Sequence, residues 1–120
     1  MNNYITSCIV LYRNDIIMLR EAITSFLNTE LNVKLYLVDN SPTDELKVLV
    51  TDSRIEYIHN PSNPGFGASH NVAIKKALEL GSDYHLVLNP DIYFEKGTLE
   101  LLCEFMNENL EVGHVMPKVT

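Results

Sequence analysis

An α/β protein with a mostly parallel sheet and helices on both faces is what this sequence predicts. Two observations lead there. Short apolar, β-branched runs alternate with segments of helical spacing along the chain, and each run stops at polar or glycine-rich residues. Such alternation implies βαβ units, whose right-handed crossovers carry helices to both sides of the sheet. At 120 residues and 46% hydrophobic, residues 1–120 fit one compact domain with its own core.

Ile5 to Tyr12 is a short β-branched run, expected as a buried strand. Asn14 and Asp15 supply cap-type side chains to a helix reaching about Asn28, with Leu19, Ile23, Phe26 and Leu27 as its face. Val33 to Asp39 reads as a second strand, Asn40 to Thr43 as a turn, and Asp44 to Val50 as a short helix with the Asp44–Glu45 pair at its start. Ile55 to His59 is a brief third strand. After the breaker-dense loop from Asn60 to Gly67 a helix is expected, with Ala73, Ile74, Ala77 and Leu78 inward and Gly81 as its stop. Tyr84 to Leu88 is a fourth strand, interrupted at Asn89-Pro90-Asp91. Leu99, Leu102, Cys103, Phe105 and Met106 mark a last helix face, and Val112 to Val119 begins another extended segment.

Composition narrows the function. A formal net charge of −7 argues against nucleic acid and anionic lipid as partners, which need a basic field. An anionic ligand would then be held by backbone N–H groups or a metal. Cys8 and Cys103 stand far apart in apolar settings and read as small core residues. No cationic leader precedes an apolar run, and no stretch approaches the ~20 apolar residues that span a bilayer. The expectation is a reduced, cytoplasmic protein, which at full length could sit at the cytoplasmic face of a membrane.

In parallel sheets ligands bind at the carboxyl ends of the strands. The residues there are Tyr12-Arg13-Asn14, Asp39-Asn40-Ser41, Asn63 to Asn71, and Asn89-Pro90-Asp91. Asp39 has two open readings: a turn aspartate, or a carboxylate accepting from a base imide N–H or a ribose hydroxyl. The glycines Gly65 and Gly67 open a helix and have two open readings: a bare glycine turn with no ligand, or an arrangement that aims N–H groups and a positive dipole end at an anion. The spacing is not a dinucleotide fingerprint, because His70 stands at the third glycine position, and the loop lacks the ending of a P-loop. His70 is expected as a surface histidine. Pro90 halts the fourth strand, so Asp91 projects at the sheet edge, either as a cap to the next segment or as a ligand for a hard cation sharing diphosphate oxygens. His59, His85 and His114 are given no chemistry.

The succession Ile9 to Asn14, Leu37 to Asp44, Asn63 to Asn71 and Leu88 to Asp91 resembles family 2 glycosyltransferases of the GT-A fold. It looks most like their bacterial rhamnosyltransferase-like branch, which builds O-antigen and capsular polysaccharide. The resemblance implies a Rossmann-like nucleotide-sugar-binding half and metal-dependent, usually inverting, transfer from a nucleoside-diphosphate sugar (UDP- or dTDP-linked) to a glycan or lipid-linked acceptor. It implies that Tyr12 and Asp39 border the base and ribose, and that Asn63, Gly65, Gly67 and Asn71 run along the ribose and diphosphate. Asp91 would match the second acid of the family's DxD motif and hold Mg²⁺ or Mn²⁺. Asn89 stands where the first acid often stands; being neutral, it leaves cation affinity dependent on the diphosphate.

The family's general base lies in an acceptor-binding half, and no acid in this chain, Glu95, Glu104 and Glu111 included, occupies the matching place. The base is therefore expected beyond Thr120, and the chain alone is expected to bind nucleotide without turnover. The alternative is a stand-alone nucleotide-sugar-binding module or subunit, separable by whether the reading frame continues with an acidic motif. A receiver module is disfavoured because Tyr12-Arg13 and His59-Asn60 stand where its acids belong. A sugar nucleotidyltransferase would need a Gly-rich, basic loop after the first strand. An uncovered sheet edge would favour a homodimer.

Overall fold

The computed structural model describes residues 4–62, 65–91 and 93–108. Strand β1 (Tyr4–Leu11) leads to helix α1 (Ile16–Leu27), β2 (Asn32–Asp39), a 3-10 turn (Glu45–Leu49), β3 (Ile55–His59), α2 (Phe66–Leu80), β4 (Tyr84–Leu88) and α3 (Thr98–Glu108). The four strands form one sheet in the order β3-β2-β1-β4. Each pairing is parallel, with Leu11 opposite Asp39, Asp39 opposite His59 and Leu88 opposite Ile9. The α/β class and the parallel sheet are as the sequence predicts. The extended segment expected from Val112 to Val119 lies outside the described residues.

Side chains alternate across the sheet and divide the core in two. One face carries Ile5, Ile9, Leu35, Leu37, Leu86 and Leu88, covered by α1, the 3-10 turn and α3. The other carries Cys8, Val10, Tyr36 and Val38, covered by Ala73 of α2. Helices therefore lie on both faces. Each large side chain taken fully out of water stabilises the fold by roughly 1.5–3 kcal/mol.

Local chemistry sets the helix ends. Asp15 Oδ1 accepts from the N–H groups of Ile17 at 2.8 Å and Met18 at 3.2 Å, a true N-cap. Asn14 instead accepts from the Tyr12 N–H at 2.6 Å and holds the loop after β1. Asp44 precedes the 3-10 turn without capping it by its side chain. Gly81 ends α2 at φ 74°, as expected.

Three expectations change. β1 stops at Leu11, so Tyr12 leaves the sheet. Leu78 points outward at 74% exposure, because the inward stripe of α2 runs through Ser69, His70, Ala73 and Ala77, all buried. Phe105 is 47% exposed, while Leu99, Cys103 and Met106 bury the face of α3. Cys8 and Cys103 are both buried, as expected of small core residues. Among the described residues no helix is long and apolar enough to cross a membrane.

Candidate nucleotide site at the strand ends

Parallel pairing brings the carboxyl ends of all the described strands to one edge. Hydrogen bonds continue the ladder past the strands, from the Asn40 N–H to the Leu11 carbonyl at 2.9 Å and from the Asn60 N–H to the Asp39 carbonyl at 2.7 Å. A cleft of about 430 Å³ opens here, lined by Arg13, Asn14, Ser41, Pro42, Thr43 and Glu45 among others.

Asp39 is fully buried at the end of β2. Its Oδ1 accepts from the Ser41 N–H at 2.9 Å, an Asx-type turn, and its Oδ2 accepts from the Tyr57 hydroxyl at 2.5 Å. Tyr57 shares this face because β3 alternates, placing Ile55, Tyr57 and His59 on the Leu37–Asp39 side. Burial, then the Asp39 contact, raises the Tyr57 hydroxyl well above its ordinary pKa, so it stays a donor. The His59 ring stacks on Tyr57 with centroids 6.3 Å apart, and its Nε2–H donates to the Ser41 carbonyl at 3.0 Å. Ser41 Oγ in turn accepts from the Arg13 N–H at 2.8 Å. Arg13 holds φ 48°, an uncommon conformation for a side-chain-bearing residue. Its guanidinium lies 5.5 Å from the centroid of the half-exposed Tyr12 ring.

Helix α2 is pinned to the same edge. The Asn40 Nδ2 donates to Ser69 Oγ at 2.8 Å, and Ser69 Oγ donates back to Asn40 Oδ1 at 3.1 Å, both groups buried. Gly65 takes φ 104°, which only glycine adopts without strain. Gly67 lies not in the loop but in the first turn of α2, and a Cβ there would meet nothing within 4 Å. The first backbone bond of α2 runs from Ser69 N–H to Gly65 carbonyl at 3.1 Å, so the N–H groups before it face the helix end unmatched by helix carbonyls. Asn71 is exposed, and Asn63 lies outside the described residues.

Asn89 is half-buried and Asp91 exposed, just past β4 on the far side of β1. No hydrogen bond joins them to the Asp39 group among the described residues. Asp91 does not cap α3, which begins only at Thr98. Among the described residues no three His, Cys, Asp or Glu side chains cluster as a metal cage. His70, expected at the surface, is buried on the inward face of α2. Tyr57 and His59 are the site residues that sequence reasoning passes over; period-two alternation puts them on one face but does not say which strand they meet.

Comparisons with known proteins give the family and the fold. The glycosyl transferase family 2 domain matches residues 7–118. An uncharacterized glycosyltransferase of Haemophilus influenzae is 30% identical over 115 residues, covering 91% of this chain and 45% of that protein. The low-salt glycan biosynthesis hexosyltransferase Agl10 of Haloferax volcanii is 38% identical over 84 residues, covering 69% of this chain and 27% of its own length. The chain thus spans less than half of either relative. The crystal structure of S. aureus TarS 1–349 in complex with UDP-GlcNAc superposes with a TM-score of 0.73 at 19% identity, over 95% of this chain and 37% of that one.

Proposed function

Because the chain belongs to glycosyl transferase family 2, we propose that it is the donor-binding portion of an enzyme that moves a sugar from a nucleoside-diphosphate sugar to a glycan or lipid-linked acceptor. We place it in the rhamnosyltransferase-like branch, serving bacterial surface polysaccharide synthesis. The observation that carries the donor-site reading is the reciprocal Asn40–Ser69 pair, which seats the glycine turn and first turn of α2 beside the carboxyl end of β2. One site then offers an acceptor carboxylate for the nucleoside and a positive helix end for its phosphates. A superposable fold that holds UDP-GlcNAc supports the same reading.

In this proposal the exposed Tyr12 ring is the platform for the base, and Asp39 meets a base N–H or ribose hydroxyl. Gly65, Gly67 and Asn71, together with Asn63, follow the ribose and diphosphate, and Asn89 contacts the sugar nucleotide near Asp91. An exposed carboxylate fits Mg²⁺ or Mn²⁺ of the kind that keeps several waters and shares phosphate oxygens, so Asp91 would hold it. When bound, that cation offsets charge on the diphosphate. The acceptor oxygen attacks the anomeric carbon as the bond to the diphosphate oxygen breaks, and the nucleoside diphosphate leaves with the electron pair. The α2 N-terminus stabilises that developing charge. No described carboxylate is assigned to deprotonate the acceptor; that base lies outside the described residues.

Calorimetric titration with UDP and dTDP in the presence of Mn²⁺ tests the reading. Binding is expected, and Asp91→Ala is expected to weaken it roughly tenfold, in line with loss of a charge-assisted contact, and to abolish its dependence on Mn²⁺. Unchanged affinity and unchanged Mn²⁺ dependence in that variant would remove Asp91 from the site.

A further inference from the structure

Asp39 presents a difficulty that the donor-site reading leaves open. Its side chain is fully buried and both oxygens are taken, one by the Ser41 N–H and the other by the Tyr57 hydroxyl. Each carboxylate oxygen can accept a second bond, but with the side chain fully buried a nucleotide reaches Oδ2 only if the group lying on it, the Tyr57 hydroxyl, withdraws. The Ser41 bond is part of the turn itself, held further by His59 and Arg13, so it is the fixed one. The Tyr57 bond joins two side chains and is the exchangeable one. Tyr57 is only partly buried, and the ring stacked on it belongs to the exposed His59.

We propose that the Tyr57 hydroxyl stands in, in the free site, for the base N–H that Asp39 accepts from the bound nucleotide, and that this exchange makes Tyr57 a determinant of base selectivity. The inference rests on the donor-site reading above. Uracil and thymine carry N–H at ring position 3, and this group replaces the tyrosine O–H donor for donor. Cytosine carries a lone pair there and would face the carboxylate with two acceptors opposed. The wild-type site therefore gives an imide base little net gain, because one hydrogen bond is broken for the one that forms.

Tyr57→Phe keeps the ring that packs against the core but leaves a buried carboxylate oxygen unmatched in the free protein. The bound state, already without the tyrosine bond, is unaffected. Removing the hydroxyl thus destabilises the free form alone and tightens binding of imide bases. UDP affinity should rise roughly tenfold in Tyr57→Phe, from the usual cost of an unsatisfied buried group, while CDP affinity stays unchanged. The gain should vanish in the double variant Asp39→Asn, Tyr57→Phe, which a merely structural role for Tyr57 would not require.

The experiment is a titration of the 120-residue chain and these variants with UDP and CDP under Mn²⁺, with thermal melting to verify folding. Weaker or unchanged UDP binding in folded Tyr57→Phe overturns the inference, as does an equal gain for UDP and CDP. Wild-type binding with no gain in the variant removes this inference alone. Failure of wild type and variants to bind either nucleotide removes the donor-site reading and this inference with it.

Discussion

Gly65 and Gly67 look equivalent in the sequence, yet the backbone demands only the first. Gly65 sits at φ 104°, where any side chain is strained. Gly67 is helical, with open space where a Cβ would stand, so the fold gains nothing from its lack of a side chain. A glycine in a helix costs about 0.5–1 kcal/mol relative to alanine. Gly67→Ala should therefore stabilise the protein by up to about 1 kcal/mol in urea denaturation. It should at the same time weaken UDP binding, because the added methyl stands where backbone N–H groups are to approach a diphosphate. A loss of stability would contradict the open space; an unchanged affinity would contradict the role.

At the scale of elements, α2 is docked over a polar patch. His85 of β4 lies beneath it, with Nδ1 2.7 Å from the Thr6 hydroxyl and Nε2 buried without a hydrogen-bond partner among the described residues. Burial first, and then the nearby His70, lowers the His85 pKa to about 4, and burial also lowers that of His70. The unfolded chain titrates near 6.5, so between that value and 4 the unfolded state binds more protons than the folded one. Stability is complete above about pH 6.5 and falls as the pH drops, with His85 accounting for about 2 kcal/mol lost by about pH 5. Urea midpoints at about pH 7 and about pH 5 should show this decline, and His85→Asn should flatten it. The caps of these helices are legible in sequence to different degrees. Asp15 caps α1 and Gly81 ends α2 because both act through near neighbours. The inward stripe of α2 is misread at Leu78, because polar Ser69 and His70 take the buried positions and hydrophobicity alone does not reveal that.

For the whole molecule, the parallel α/β class is legible because strand and helix periods alternate without interruption, and the site is legible as four segments that follow strands. Lateral order is not. That β4 lies beside β1, and β3 beside β2, depends on pairings between distant residues, such as Tyr4 N–H with Asp83 Oδ2 at 2.8 Å, which leave no local trace. The Tyr57–Asp39 bond is hidden for the same reason, since it depends on which strand β3 joins and in what register.

The two-faced core has a practical consequence. Cys8 lies under α2 and Cys103 on the inner side of α3, each the thiol of its own face and each buried. Burial raises the Cys8 pKa to about 12 and raises that of Cys103 as well, so neither thiolate is available for alkylation while its cover is closed. Under native conditions, reaction with a thiol reagent then requires an opening, and the rate at each cysteine counts how often that layer lifts. Single-cysteine variants should label at separable rates. A nucleotide that engages the first turn of α2 should slow labelling at Cys8 more than at Cys103, and equal slowing would mean the two layers open as one. The protein thus carries an internal clock on each side of its sheet, readable by mass spectrometry without any added probe in the fold.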